Sequence, residues 1–427
     1  MQMFRAFTLS VLTLTLAPAA VQAQTCLPLG DAIAAGADRA PEVAAAEARL
    51  DAGEAGIIEA RALRRPQVTS FGRSRAGDTG LTSNRLENQA GVQVSQRLYD
   101  FGDSRLAIEQ AEHERDRLES ARDSQRAGAA YAVASAYLDA LESDELAAVI
   151  DQRRSYFNRQ YEAIEGLFAR GGATRADRAQ IAAERAEAEA DILELQSRGE
   201  QAQARLSAYL GGPVSVCPDR LAAEVLDGAV SDIETVDMAI DMAVSANPEV
   251  GALRAAVRSQ DARRERERRS RLPVISLVGI SSYVYDDTFE TWDARDSVGV
   301  DVSVPLYTGN SMGARVEAEN ARLVATESEL RVLQRQLREQ TEIAFRRILS
   351  LRAQLSRREV VADSQRAYFE AIAGEFDLGL GTLPDLVEAR LQYEQAQVDV
   401  VVLRCALLRQ QLDLLLLTDR LSSGRID

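Results

Sequence analysis

Few side chains in this sequence are spaced for catalysis. The single histidine, His113, stands in a run of helix-forming residues with no cysteine near it, so a zinc site lacks a ligand set and the imidazole is assigned to surface or packing. No nucleophile motif, phosphate-binding glycine loop or dinucleotide pattern occurs. Enzymatic activity, a cofactor and a metal site are therefore not expected. What remains is electrostatic and oxidative chemistry. Asp385 and Glu388 are three residues apart, which places both carboxylates on about the same side of a helix beginning near Thr382. Crowded copies of such a pair would attract cations, favour divalent ions and resist simultaneous ionisation. Thr382 with Asp385 also fits a helix-capping start, as Thr174 with Asp177 does. Cys26 and Cys217 each precede corresponding segments of an internal repeat, and in an oxidising compartment a bond between them is expected. Two free thiols fit the sequence equally well. Cys405, on an apolar helix, is expected to stay buried and reduced.

The elements that would position these residues are mostly helical. Charged residues make up 27% of the 427 and aromatic residues only 5%, and whole stretches such as Ala176 to Ala190 are strong helix formers, which points to extended helices rather than a compact core. Arg5, the apolar run Ala6 to Ala17 and the small-x-small triplet Val21-Gln22-Ala23 read as a secretory signal peptide, 1–23, with the mature chain from Gln24. The most apolar later stretch, Val398 to Leu417, is broken by Arg404, Arg409, Gln410, Gln411 and Asp413, so any membrane crossing falls to strands. A net charge of −16 argues against nucleic acid as a partner.

The two halves repeat each other. Ala40-Pro41-Glu42-Val43 returns as Asn247-Pro248-Glu249-Val250, Pro66 as Pro273, and Gly91 to Ser95 with Leu98-Tyr99 as Gly299 to Ser303 with Leu306-Tyr307. Phe168, Gly171, Thr174 and Asp177 return as Phe376, Gly379, Thr382 and Asp385. Each repeat reads as a helix, two strands around a polar loop, a very long helix, a glycine-rich turn and a second helix. The organisation expected is repeat 1 over 24–210, an equatorial connector over 211–235, repeat 2 over 236–418 and a tail over 419–427. The long helices, about Ser104 to Phe168 and Ser311 to Phe376, would each extend about 95 to 100 Å, too far for one globular domain. The return paths are expected at Thr174 to Leu210 with Val236 to Arg271, and at Thr382 to Thr418 with Leu29 to Arg65. Turns at Arg170 to Thr174 and Leu378 to Thr382 reverse the chain, with Gly171, Gly172, Gly379 and Gly381 free to take conformations a side chain would obstruct.

Strand signals are strongest at Ser297 to Pro305, where Val298, Val300, Val302 and Val304 alternate with polar or small residues. Gln89 to Ser95 repeats the pattern, and Gln67 to Arg75 and Val274 to Tyr285 supply partners. Tyr283, Tyr285, Phe289 and Trp292 fit an aromatic girdle or a cluster within the loop. Four strands cannot persist in lipid as an open sheet, because edge amides and carbonyls would have no partners, so transmembrane strands require oligomerisation.

On the two Pro-Glu pairs, the Pro66 and Pro273 strand starts, the Leu98-Tyr99-Asp100-Phe101-Gly102 segment and the two turns, the chain resembles the TolC family of outer-membrane efflux and type I secretion proteins over essentially its whole mature length. The resemblance implies a mainly α fold with a small transmembrane β part. Duplicated helical hairpins would form an α-barrel crossing the periplasm, and four strands would enter a trimeric twelve-stranded β-barrel in the outer membrane of a Gram-negative cell. Implied partners are outer-membrane lipid, a periplasmic adaptor and, through it, an inner-membrane pump of ABC or RND type. Asp385 and Glu388 fall where the family lines its periplasmic entrance with acidic residues, and Arg170, Gly171, Gly172, Thr174, Gly379, Gly381 and Thr382 fall at the tip an adaptor contacts. The family's closing lock often includes a tyrosine and an arginine, where this sequence has Leu380, Gly381, Leu383 and Pro384. The competing reading is a periplasmic adaptor or other soluble coiled-coil protein of an export complex; an adaptor typically carries one hairpin and other domains, whereas two hairpins with two strand pairs are present here.

Overall fold

A computed structural model of the chain describes residues 26–77, 85–217, 219–286 and 291–421. The expected signal peptide, Phe289 and the last residues of the tail lie outside them. The chain runs α1 (Leu29–Arg39), α2 (Pro41–Ala62), β1 (Gln67–Gly77), β2 (Arg85–Tyr99), α3 (Asp103–Ala169) and α4 (Arg175–Leu210). It continues through α5 (Asp219–Val230), α6 (Val236–Ala246), α7 (Pro248–Arg269), β3 (Val274–Asp286), β4 (Thr291–Ser303), α8 (Ser311–Asp377) and α9 (Leu383–Leu417). The two 67-residue helices α3 and α8 each extend about 100 Å. Among the described residues, no helix is long and apolar enough to cross a membrane.

Proline places two breaks that helix-length reasoning alone passes over. The segments read as single helices from Leu29 and from Val236 are each two, with Pro41 and Pro248 at the first helical position of α2 and α7. Proline lacks an amide to donate and pushes the preceding residue out of the helical region, and Ala40 and Asn247 are accordingly at ψ 124° and 125°. The connector contains a further helix, α5, whose buried Ala222, Leu226, Ala229 and Val230 join the main core.

In the half of the chain near the strands, α3 packs between α2 and α7, and α7 packs in turn on α8; in the other half α3 pairs with α4, α8 with α9, and α3 with α9. The main core lies where the halves meet, built from α3 residues between Ala127 and Leu141, Leu29 and Ile33 of α1, Leu206 of α4, Ile348 and Leu351 of α8 and Leu407 to Leu415 of α9. Small residues let helices approach closely there: a β-carbon on Gly36 would stand 2.3 Å from Val133 Cγ2. Tyr137 is fully buried, and its hydroxyl donates to the Leu27 carbonyl (3.0 Å) and accepts from the Cys217 amide (2.7 Å). Burial raises the phenol's pKa, keeping it a neutral donor. Cys26 and Cys217 are joined by a disulfide beside this tyrosine, next to a parallel bridge between Leu27 and Val216.

The four strands form one antiparallel sheet in the order β1-β2-β3-β4. Register puts Val68, Val94, Gly279 and Val298 in one row, and Leu277 opposite Val300 in the next, all on one face. The other face is mainly polar, with Gln93, Ile280 and Ser297 in one row and Arg97, Ser276 and Asp301 in another. Val298, Val300 and Val302 are more than half exposed in the single chain, and β1 and β4 are edge strands with no partner among the described residues. Thirteen residues of β4 rise about 43 Å, or about 30 Å across a bilayer at a tilt near 45°. Aromatic residues mark both ends of this span. Tyr283, Tyr285 and Trp292 stand at one end, with Tyr285 and Trp292 rings 5.4 Å apart, and exposed Tyr99, Phe101 and Tyr307 at the other.

Candidate functional site: the tips of the helical hairpins

Both long helices end in the same way. The Gly172 amide donates to the Leu167 carbonyl (2.8 Å) and the Gly171 amide to Phe168 (3.0 Å); the Leu380 amide donates to Glu375 (2.9 Å) and Gly379 to Phe376 (2.9 Å). These paired bonds satisfy the last carbonyls and require a left-handed residue, which Gly171 (φ 76°) and Gly379 (φ 73°) provide. Gly381 is held for a different reason: a β-carbon there would meet the Phe376 backbone nitrogen at 3.2 Å. Thr174 and Asp177 form a reciprocal capping box that starts α4. Thr382 accepts from the Asp385 amide (3.4 Å) and donates to its carboxylate (2.5 Å), starting α9. Arg170, Gly171, Gly172, Thr174, Gly379 and Thr382 are exposed, and Gly381 is half-buried. Leu378 and Leu380 project beside them, each residue 77% exposed, an apolar pair that helix termination does not require.

Asp385 and Glu388 share the exposed face of α9, while Leu383, Leu386 and Val387 on its other face enter a small core with Phe157, Ile164 and Ile181. Asp385 is engaged in its cap, and Glu388 accepts from Gln392 (3.0 Å), so both carboxylates are free to meet solvent or an ion on their remaining lone pairs. Among the described residues no group of side chains could hold a metal ion, and His113 has Glu109 and Asp116 at 3.9 and 3.8 Å.

Above this small core lies a charged cluster that the sequence reading missed. Arg153 of α3 is buried and pairs with Asp191 of α4 and, at 3.0 Å, with Glu394 of α9. Arg390 of α9 is buried among the rings of Tyr156, Phe369 and Tyr393, 5.4 to 5.6 Å from each centroid. These contacts tie one hairpin to the other. Burial pushes Glu394 up to about 7 against the pull of Arg153 and Arg390, with Asp191 and Glu184 adding to the rise. Burial also lowers Arg390. The available signal was charge inside an apolar rhythm: Arg153 between Ile150 and Phe157, and Arg390 flanked by Val387 and Leu391.

Residues 34–212 and 239–419 match the family model described as outer membrane efflux protein. The outer membrane efflux protein BepC of Brucella suis biovar 1 (strain 1330) is 27% identical over 368 residues, which cover 82% of this chain and 78% of that protein. The alkaline protease secretion protein AprF of Pseudomonas aeruginosa is 26% identical over 261 residues, 60% of this chain and 54% of that one. The crystal structure of the outer membrane protein VceC from Vibrio cholerae superposes with a TM-score of 0.76 at 18% identity, covering 93% of this chain and 97% of that one. The shared fold is thus a long helical barrel with a small β part.

Proposed function

The chain belongs to the outer membrane efflux protein family, and from that membership we propose that three copies close a twelve-stranded barrel and one continuous duct whose tips receive a periplasmic adaptor. The family is one of passive outer-membrane channels, not enzymes, and the protein resides in the outer membrane and extends into the periplasm. One observation carries assembly into a closed barrel: a four-stranded sheet with one mainly apolar face and, among the described residues, no partner at either edge, continuous with helices about 100 Å long. Edge strands in lipid need partners, and β4 of one chain beside β1 of the next satisfies them without a free edge.

At the far end, the turns at Arg170, Gly171, Gly172 and Thr174 and at Gly379, Gly381 and Thr382 form the adaptor-docking tip, with Leu378 and Leu380 as the apolar contact. Through the adaptor the duct serves an inner-membrane pump of ABC or RND type. Asp385 and Glu388, repeated three times around the axis, form a six-carboxylate constriction that attracts cations. Mass measurement in mild detergent should give three times the chain mass. In planar bilayers Asp385→Asn with Glu388→Gln should reduce cation selectivity and divalent block with the trimer intact. Unchanged selectivity and block in an assembled double variant would place the constriction elsewhere.

A further inference from the structure

The chain is acidic overall, yet the segments directly beneath the strands are basic. Residues 61–66, 97–106, 263–272 and 311–318 hold twelve arginines against five carboxylates, a net charge of +7 in a chain of −16. They surround the ends of α2 and α7 and the starts of α3 and α8.

Two faces can be told apart here. Arg97 lies on the polar face of β2 and bonds Asp103 (3.1 Å), and Arg266 reaches both Asp103 (3.3 Å) and Gln110 (3.1 Å), so Asp103, Gln110 and Arg266 face the polar side of the sheet. Two residues along a helix turn the side chain by about 200°. Arg105 and Glu112 of α3 therefore face the opposite, apolar side, and Arg61 pairs with Glu112 there. Arg268 stands in the same relation to Arg266. Both α3 and α7 have helices of their own chain on either side, so the outward faces of Arg105 and Arg268 are not at a boundary between protomers.

Arg105 is exposed, and neither it nor Arg65 nor Arg271 has an ion pair among the described residues. Its position is also unfavourable for the helix. It is the third residue of α3, where the macrodipole favours an acid. Arg268, half exposed in the last turn of α7, suits the dipole but has only Glu265 at 3.8 Å. Directly above stand exposed Leu98, Tyr99, Phe101, Leu306 and Tyr307. Arg105 lies about 5 Å along the helix from Gly102, within the ~5–8 Å that the headgroup layer adds to each side of the hydrocarbon.

We propose that Arg105 and Arg268, with Arg65 and Arg271 beside them, form a collar that binds the phosphate headgroups of anionic phospholipid in the periplasmic leaflet of the outer membrane. It rests on the barrel placement above and adds a lipid specificity to it. The apolar and aromatic band sets the depth of the barrel, and the arginines beneath it meet the phosphates that a bilayer presents at that depth.

The test uses the full-length trimer in detergent, with retained lipid counted by native mass spectrometry after incubation with phosphatidylglycerol or with phosphatidylcholine of the same acyl chains. Wild type should retain phosphatidylglycerol preferentially. Arg105→Gln with Arg268→Gln should lower that preference about fivefold per arginine, equivalent to ~1 kcal/mol each. Arg315→Gln is the control, because Arg315 shares a cavity with Asp103, Gln110 and Arg266 on the polar side; it should leave retention unchanged. No wild-type preference, an unchanged preference in the double variant, an equal loss in Arg315→Gln, or displacement of the lipid by millimolar inorganic phosphate would each overturn the collar. Trimer mass and bilayer conductance of the same samples separate the two readings. A conducting trimer without lipid preference refutes the collar alone, whereas a wild type that neither trimerises nor conducts refutes the duct as well.

Discussion

Replacing Glu394 by Gln should remove a defined part of the pH dependence of stability. In the folded chain Glu394 titrates at about 7, raised from 4.5 chiefly by burial. Between those values the folded protein holds a proton that the unfolded chain has released, so this group stabilises the fold fully below 4.5 and loses its contribution as pH rises through about 7. The separation corresponds to about 3 kcal/mol per chain at full titration. With an unfolding entropy of ~2.1 cal/mol/K per residue, that amounts to about 4 °C in the thermal midpoint. The amide keeps the size of the carboxylate and leaves Arg153 paired with Asp191, so the variant isolates the titration. Thermal unfolding of the detergent-solubilised trimer, scanned from pH 5 to pH 8, covers most of that titration and should show wild type losing about 3 °C more than Glu394→Gln. Burial also raises Asp144, but that contribution is common to both proteins and cancels in the comparison. Midpoints that move in parallel across the range would refute the assignment of a buried, proton-binding Glu394.

Other consequences are open to direct measurement. Cys217→Ser opens a loop spanning 191 residues and should cost about 5 kcal/mol by chain entropy; wild type treated with reductant should match it, and equal melting of oxidised, reduced and variant protein would rule the bond out as a stabiliser. Tyr137→Phe leaves the buried Cys217 amide without its acceptor, so a loss of about 1–3 kcal/mol in denaturant unfolding is expected. Phe157→Ala empties a fully buried site in the core beneath the tips and should lose about 3–5 kcal/mol, read in the same unfolding experiment. Gly171→Ala and Gly379→Ala meet no neighbouring atom, so each should cost only the ~1–2 kcal/mol of a left-handed alanine; a larger loss would mean a contact at the tip.

What the sequence determined by itself is the part of the protein governed by local rules repeated twice. Proline-free runs of helix formers set the two long helices to within a residue or so, and the glycine at a fixed offset from Phe168 and from Phe376 set the turns, because a left-handed position accepts little else. Alternation of valine with polar residues identified the strands and their apolar face, since side-chain period in a strand is independent of what the strand packs against. Strand ends were less legible: β4 begins at Thr291, six residues before the alternation becomes clean at Ser297, because backbone pairing with β3 continues past the apolar stripe. The same applies to α5, whose apolar face is meaningful only against α1 and α9. Partnerships across the fold were decided by tertiary structure alone. That Arg153, Arg390 and Glu394 share one buried cluster, with half-buried Asp191 at its edge, depends on α3 and α9 crossing at one height, and the low-dielectric setting, rather than residue type, gives Glu394 its affinity for a proton. The proposed basic collar is likewise invisible as a pattern, because its arginines come from three separate segments whose common level is fixed only when both repeats enter one sheet.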